Sequence, residues 1–290
     1  MSLTPLSDKV TMRLPFLFCL LASIISLGGC FDDSARAAPT DDILAKVTAA
    51  KTVRIGVKTN TPPFSVMAKD GSFTGFDIDI AEALAKQMGI DTITYVPVTS
   101  ADRIVKLMHG DVDMVIASMT ITRYREHRVD FSLPYFQDGE SLLVKKDSPV
   151  TGYLDLTGKT VGCLKGSTSS YYMKQVAPGC TTKVYMDAAT MMAGLMAGEV
   201  DAVTSDELIL IGLIKQSADP AALRIAGKRF TTEPYGIALA QNQSHWRNAI
   251  DDALQTLWEN GTWQAIADSW FGPGAKYQTD LDFAIKPYPH

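Results

Sequence analysis

Short apolar runs and amphipathic segments alternate along most of the chain. β-branched residues concentrate at 53–57, which is typical of a strand, and apolar positions recur at helical spacing over 76–88. The pattern continues with a predicted strand at 92–98, a helix at 101–109 and a second strand at 112–117. Strands that alternate with short helices favour parallel sheets built of βαβ units. The predicted fold class is therefore α/β.

One stretch of this pattern occurs twice. Residues 107–115 (LMHGDVDMV) resemble residues 195–203 (LMAGEVDAV), 88 positions later. Each copy predicts the end of a helix, a glycine cap and a buried strand. A weaker similarity joins 54–58 to 160–164. We therefore predict two similar lobes, each with a central sheet and flanking helices; the period is too long for a solenoid.

Two polar residues occupy matching places in the repeat. Ser118 lies five residues after Asp113, and Asp206 lies five residues after Asp201. Each follows the carboxyl end of a predicted parallel strand, which is where open α/β sheets bind ligands. Two lobes that face each other would place Ser118 and Asp206 across one cleft.

Two further runs predict passages between the lobes. Residues 140–145 lead into the second lobe, and residues 234–239 lead back out. A double crossing is the connection typical of a hinge, in which a few residues at element ends absorb the motion. The predicted first lobe spans 50–141 and 236–290, and the second lobe spans 142–235.

The N-terminus stands apart from this alternating pattern. An apolar run at residues 14–27 follows Arg13. The run is shorter than the about 20 residues that span a bilayer, and its positive flank is typical of a signal peptide. We predict a signal peptide over residues 1–29 and a tether over residues 30–49.

The apolar run ends in a sequence that resembles a bacterial lipobox, Leu-Gly-Gly-Cys at 27–30. Cys30 would then carry the lipid and become the first residue of an exported chain at the periplasmic side or the cell surface. The alternatives are ordinary cleavage near 35–37 or a buried cysteine. Met1 and Met12 are both possible starts.

Composition excludes several classes of protein. The 290 residues include 27 Lys and Arg against 32 Asp and Glu, a net charge of −5, and 46% are hydrophobic. This is an ordinary globular mixture, and it has no basic excess with which to neutralise nucleic-acid phosphates. We expect no nucleic-acid partner. We also expect the protein to be a monomer.

Motifs for catalysis, cofactors and metals are missing. A P-loop at Gly158 would need a glycine where Tyr153 stands, and no serine lies in a G-x-S-x-G elbow. The four histidines are scattered without ligand spacing, so we expect no metal site and no cofactor. Export would permit a disulfide between Cys163 and Cys180, although two free thiols are favoured.

Six short motifs then follow one another in a specific order: GFDIDI at 75–80, SMTITRYR at 118–125, VDFSLPY at 129–135, KGST at 165–168, NGTW at 260–263 and WF at 270–271. Together they resemble the extracellular solute-binding proteins of family 3, the polar amino-acid receptors of ABC importers. The resemblance covers about residues 50–272. It implies the type II periplasmic-binding fold, which closes on a free amino acid.

The resemblance also implies roles for individual residues. Arg125 matches the arginine that binds the ligand's carboxylate, and its fork suits two carboxylate oxygens. Ser118 and Thr120 match positions that offer hydroxyl and backbone donors. Thr168 is expected to begin a helix whose free N–H groups favour an anion. Asp206 matches the acid that takes the ammonium group.

Each assignment has a simpler alternative. Arg125 is otherwise a surface arginine, Thr168 a plain helix cap and Asp206 an acid at a helix start. Phe64 matches a residue of the cleft wall, but it also suits the core. The family often has a tyrosine where this chain has Thr61, which argues against a pocket for histidine or arginine.

Two basic residues predict the ligand's side chain. Lys58 follows the first strand, and Arg103 lies in a segment similar to that of glutamate and aspartate receptors of the family, where such residues hold the side-chain carboxylate. We expect an acidic or amide side chain, with glutamate or aspartate ahead of glutamine. Otherwise Lys58 is solvated, and Arg103 pairs with Asp102 or Asp113.

The sequence thus predicts the substrate-binding component of an ABC importer, with a membrane permease as its partner. One alternative is a cyclohexadienyl dehydratase on the same fold, which needs a general acid in the cleft; no candidate stands out in the sequence. The other is a ligand-sensing subunit of a signalling receptor.

Overall fold

The computed structural model describes residues 42–281 and 283–286. The predicted signal peptide and Cys30 lie outside these residues. The last part of the predicted tether differs from expectation, because it forms helix α1 (Ile43–Ala50). Asp42 caps this helix by accepting the N–H of Ala45 at 3.3 Å, and Val47 is buried against the core.

The first sheet contains strands β1 (Thr52–Val57), β5 (Thr92–Pro97), β6 (Met114–Val115), β7 (Asp130–Asp138) and β13 (Glu233–Leu239). Their order is β5-β1-β6-β13-β7. Strand β1 runs parallel to β5 and β6, whereas β13 runs antiparallel to β6 and β7. We call this sheet and the elements packed on it the first lobe.

The second sheet contains strands β8 (Glu140–Lys145), β9 (Thr160–Leu164), β10 (Thr181–Tyr185), β11 (Ala202–Asp206) and β12 (Leu223–Ala226). Their order, β10-β9-β11-β8-β12, repeats the arrangement of the first sheet. Strand β9 runs parallel to β10 and β11, and β8 runs antiparallel to β11 and β12. This sheet and its helices form the second lobe.

A small third sheet, β2 (Asn60–Thr61), β3 (Ser65–Met67) and β4 (Phe73–Thr74), packs on the first lobe. The helices that flank the sheets are α2 (Phe76–Gln87), α3 (Arg103–Met108), α4 (Arg123–Glu126), α5 (Ser169–Val176), α6 (Ala188–Ala197), α7 (Glu207–Gln216), α8 (Ser244–Glu259) and α9 (Thr262–Phe271). Two short 3₁₀ helices span Tyr153–Leu156 and Pro220–Ala222.

The predicted repeat is confirmed, and its sheets are mixed where parallel sheets were expected. Helices α3 and α6 are each followed by a glycine with positive φ, Gly110 or Gly198, and then by a buried strand. The antiparallel members are β13 and β8. Each enters its sheet directly after the chain has crossed from the other lobe. A parallel strand usually follows a crossover helix within the same sheet, and these two strands have no such helix before them.

The crossings themselves are short. Strand β7 ends at Asp138 and β8 begins at Glu140, so Gly139 alone separates the two sheets there. The return crossing joins β12 to β13 and runs beside the first. A β-carbon on Gly139 would lie 2.2 Å from the carbonyl oxygen of Thr231, so only glycine allows the two crossings to pass so closely.

Cys163 and Cys180 are both free thiols, as favoured from the sequence. Cys163 is buried in the core of the second lobe, where burial raises the pKa of its thiol to about 12. Within the described part of the chain, no helix has the length and apolar character that a membrane crossing requires.

The lobes touch where α7 of the second lobe meets the loop after β2 of the first. A β-carbon on Gly212 would lie 2.2 Å from the backbone oxygen of Pro62. Gly212→Ala favours the helix intrinsically by up to about 1 kcal/mol. The added methyl group is nevertheless too close to Pro62 for the lobes to make this contact. We therefore expect the substitution to weaken ligand binding about tenfold or more.

Calorimetry measures the loss of ligand affinity. Thermal denaturation of the ligand-free chain shows whether the substitution acts on closing of the lobes or on the stability of the fold. The ligand-free melting temperature should stay constant or rise. Gly152→Ala is the matched control, because no atom lies within 4 Å of the added β-carbon. A lower ligand-free melting temperature with unchanged affinity would show that the contact belongs to the fold and not to closure.

Candidate functional site

The two lobes enclose a cleft into which strand ends deliver polar side chains. Lys58 directly follows β1, and Ser118 follows β6. From the second lobe, Thr168 precedes α5, and Asp206 ends β11 and begins α7. This is the crevice beyond the carboxyl ends of parallel strands. Ser118 and Asp206 therefore line the same cavity, as the repeat predicted.

Arg125 lies at the junction of the two lobes. Its side chain is 5% exposed. One guanidinium nitrogen, Nη1, donates to the Thr120 carbonyl at 2.6 Å, and Nη2 donates to the Gly166 carbonyl of the second lobe at 3.1 Å. Burial lowers the pKa of Arg125 although Glu233 opposes the shift. A buried guanidinium with further donors is suited to hold a carboxylate.

Lys58 and Arg103 bring two further cations to the cavity. Lys58 Nζ contacts Ser118 Oγ at 3.3 Å, and Arg103 Nη1 donates to the Ala117 carbonyl at 2.6 Å. Within the part of the chain that the structure describes, Arg103 Nε is buried and has no hydrogen-bond partner. Among the described residues, no carboxylate oxygen lies within 4.0 Å of either cation, so the alternative pairing of Arg103 with Asp102 or Asp113 is not formed.

Burial of these two cations disfavours their charged forms and lowers their pKa values. Burial, followed by the charge of Arg103, lowers the pKa of Lys58 to about 7. Burial, followed by the charge of Arg125, lowers the pKa of Arg103 to about 9. Buried charges are normally paired, and the charge of Asp206 offsets both of these shifts only in part.

Three carboxylates lie close together at this cavity: Glu140 and Asp206 line it, and Glu233 is buried beside them. One oxygen atom from each lies within 4.8 Å of the others, and all three side chains are buried. Their hydrogen-bond partners are hydroxyl groups. Asp206 accepts the hydroxyl of Tyr235, and Glu140 accepts that of Ser169 at 2.5 Å. Such a cluster can bind a cation, either an ammonium group or a metal ion with a preference for oxygen ligands.

Burial and mutual repulsion disfavour the charged form of these acids. Burial, and then the charges of Asp206 and Glu233, raise the pKa of Glu140 well above its usual range. Burial, and then the charge of Asp206, raise the pKa of Glu233 to about 7. The pKa of Asp206 is also raised, chiefly by burial.

The sequence analysis missed Glu140 and Glu233. Both are charged residues at the first position of a largely buried strand, β8 or β13. Glutamate is rarely buried unless it is paired, so an acid at the start of a buried run is the signal that identifies such a position. The expectation of no metal site considered only histidine spacing and overlooked these carboxylates.

Asp77, a buried residue in the first turn of α2, supports the cleft through two hydrogen bonds. Its two carboxylate oxygens accept the Ser118 N–H at 2.9 Å and the Tyr135 hydroxyl at 2.8 Å. Ser118 has φ of 41°, a left-handed conformation that costs energy for a residue with a side chain. Asp77 therefore holds the strained Ser118 backbone next to Lys58.

Seven of the eight predicted ligand residues line one cavity: Lys58, Arg103, Ser118, Thr120, Arg125, Thr168 and Asp206. Phe64 is the exception and corrects the prediction of a cleft wall. Its ring is fully buried and packs edge-on against Phe76 and Phe136, because this aromatic core removes more apolar surface from water than the polar cleft would. Thr61 lines the cavity instead.

Comparisons with known proteins agree with this geometry. A model of the bacterial extracellular solute-binding proteins, family 3, matches residues 53–273. The ABC transporter glutamine-binding protein GlnH of Bacillus subtilis (strain 168) is 36% identical over 259 residues, which cover 88% of this chain and 93% of GlnH. The L-cystine-binding protein TcyJ of Escherichia coli (strain K12) is 31% identical over 241 residues, which cover 82% of this chain and 90% of TcyJ.

A solved structure is similar over the same region. An ancestral arginine-binding protein bound to glutamine is 38% identical and superposes with a TM-score of 0.72, covering 77% of this chain and 99% of that chain.

Proposed function

This chain belongs to the bacterial extracellular solute-binding proteins, family 3, and from that premise we propose that its cleft captures a free polar amino acid for an ABC importer. One observation carries the proposal: buried cations and buried carboxylates line the same cavity. Arg125 lies where it can hold a carboxylate, and Asp206 lies where it can hold an ammonium group. That pair of charges is common to every free amino acid.

The two remaining cations favour an acidic side chain. Lys58 and Arg103 line the same cavity as Arg125, and neither is paired with a carboxylate among the described residues. A second carboxylate on the ligand would supply the missing charge. We therefore propose glutamate or aspartate ahead of glutamine. The glutamine named for GlnH supports a side chain of this length.

Isothermal titration calorimetry with the free amino acids tests the ligand class. Glutamate, aspartate or glutamine should bind at least about tenfold more tightly than arginine, histidine or cystine, a difference of about 1.4 kcal/mol. Binding should also raise the melting temperature by mass action. Tight binding of arginine or cystine, without binding of the first three, would contradict this pocket.

We further propose that the chain catalyses no reaction, as the relatives named above are transport-binding proteins. The cleft does contain a candidate general acid, because Glu140 lines the cavity and burial raises the pKa of Glu140 well above its usual range. This differs from the sequence expectation, and it is the feature that the dehydratase alternative requires. Incubation with arogenate tests the alternative directly, and formation of phenylalanine above the uncatalysed rate would establish it.

Outside the cytoplasm, where proteins of this family act, we propose that a lipid on Cys30 anchors the chain as a monomer beside a membrane permease. The supporting feature is the Leu-Gly-Gly-Cys sequence at the end of the apolar run. Mass spectrometry of the mature protein should find a diacylated Cys30 as its first residue, and Cys30→Ala should release the protein from membranes. A mature chain that begins near residue 38 without lipid would contradict the anchor.

A further inference from the structure

The three carboxylates of the cleft come from both lobes. Glu140 begins β8 and Asp206 ends β11, and these two residues are direct partners across the antiparallel pair of the second sheet. Glu233 begins β13 of the first sheet. Like charges directly opposite each other destabilise a sheet, and the third carboxylate adds to this repulsion.

Hydroxyl groups from both lobes converge on Glu233. Its Oε2 accepts the hydroxyl of Thr120 from the first lobe at 2.6 Å and that of Thr168 from the second lobe at 2.8 Å. Its Oε1 accepts the hydroxyl of Thr231, in the return crossing, at 3.1 Å. The cluster therefore lies where the lobes join, and separating the lobes would part Thr168 from Glu233.

No cation of the described chain forms a direct ion pair with this cluster, although the charges of Lys58, Arg125 and Arg103 lower the pKa of Asp206 from a longer distance. No lysine or arginine nitrogen in residues 42–281 or 283–286 lies within 4.0 Å of the three carboxylates. Hydroxyl donors stabilise a carboxylate, but they do not cancel its charge. Closing the cleft also removes water, which strengthens the remaining repulsion.

From this arrangement we propose that Glu140 and Glu233, acting with Asp206, make the ligand's α-ammonium group the condition for closing the cleft. In the ligand-free chain, the three carboxylates oppose closure. The ammonium group places one positive charge among them and removes that opposition. A ligand can shift a conformational equilibrium only by its difference in affinity for the two states, and here the cluster supplies the difference.

The consequence is selectivity for the amino group. A molecule with the same carboxylates but no ammonium, such as glutarate in place of glutamate, would leave the cluster unbalanced in the closed cleft. Glu140 and Glu233 would thus reject deaminated analogues through the cost of closure. This part of the inference rests on the proposed function, whereas the effect on ligand-free closure does not.

The test replaces both acids by their neutral isosteres, Glu140→Gln and Glu233→Gln, singly and together. Small-angle scattering over a range of pH compares the ligand-free proteins, because the pKa values of Glu140 and Glu233 are both raised and the repulsion requires their charged forms. The double variant is expected to have a smaller radius of gyration than the unmodified chain. Glu82→Gln, an exposed change on α2, is the matched control and should leave the radius unchanged.

Calorimetry with glutamate and glutarate provides the second readout. The preference for glutamate over glutarate should fall about tenfold or more in the double variant, with a gain in glutarate binding. A merely structural role would weaken both ligands and would not improve either one. An unchanged radius together with an unchanged preference would overturn the proposal. Failure of glutamate to bind the unmodified chain would refute the proposed function, and the scattering result would still decide the role of the cluster.

Discussion

Replacing Arg125 by alanine is expected to weaken binding of the amino acid about 30-fold or more. Arg125 is the buried cation that contacts both lobes, through the carbonyls of Thr120 and Gly166. Truncating one partner of a buried, hydrogen-bonded charge pair costs roughly 2–5 kcal/mol, and each 1.4 kcal/mol is about tenfold in affinity. The loss should appear mainly in the dissociation rate, because a contact of the closed cleft is removed.

Arg123→Ala is the control for this variant. Arg123 is exposed on the same short helix, α4, and does not enter the cavity. Its replacement removes the same charge as the Arg125 variant, but from the surface. Calorimetry and stopped-flow dissociation on both variants measure the difference. Equal losses in the two variants would show that general electrostatic attraction, and not a contact in the cleft, explains the effect of Arg125.

Replacing Lys58 by methionine should change which side chain the cleft prefers. The substitution keeps the length of the buried side chain and removes its charge, together with the contact to Ser118 Oγ. Glutamate affinity is expected to fall about tenfold or more, because its side-chain carboxylate loses one of two cations. Glutamine carries no side-chain charge, so its affinity should fall much less.

The ratio of glutamate to glutamine affinity, measured by calorimetry, is the decisive quantity for Lys58. Lys69→Met is the matched control, since Lys69 is an exposed lysine of the first lobe outside the cavity lining. Equal losses for glutamate and glutamine would place Lys58 in a structural role beside Ser118 and would remove the support for an acidic side chain.

The helices and strands of the fold could largely be predicted, because each depends on the local periodicity of apolar residues. Residues 53–57 and 76–88 have one periodicity each, and the structure contains β1 and α2 at these places. Recurrence of the helix, glycine and strand pattern indicated two equivalent sheets. Arg125 and Thr120 could be predicted as cavity residues because they stand in a short motif at fixed spacing, and Asp206 because it occupies the place of Ser118 in the internal repeat.

The sequence also determined the chemical balance of the chain: its acidic net charge, its short apolar run near the N-terminus and its lack of catalytic motifs. It did not determine whether Phe64 lies in the cleft or in the core. An aromatic residue beside a polar segment fits either place, and the decision depends on Phe76, Phe136 and the other rings that surround it.

Only the tertiary structure brought Glu140 and Glu233 together with Asp206. These residues are far apart in sequence, and each alone is an ordinary acid at the start or end of a strand. They meet because both crossings deliver their first strand residue to the junction of the lobes, and because β8 pairs with β11. Burial then turns three separate charges into one repulsive cluster, an effect that depends on distance and dielectric and therefore leaves no pattern in the linear sequence.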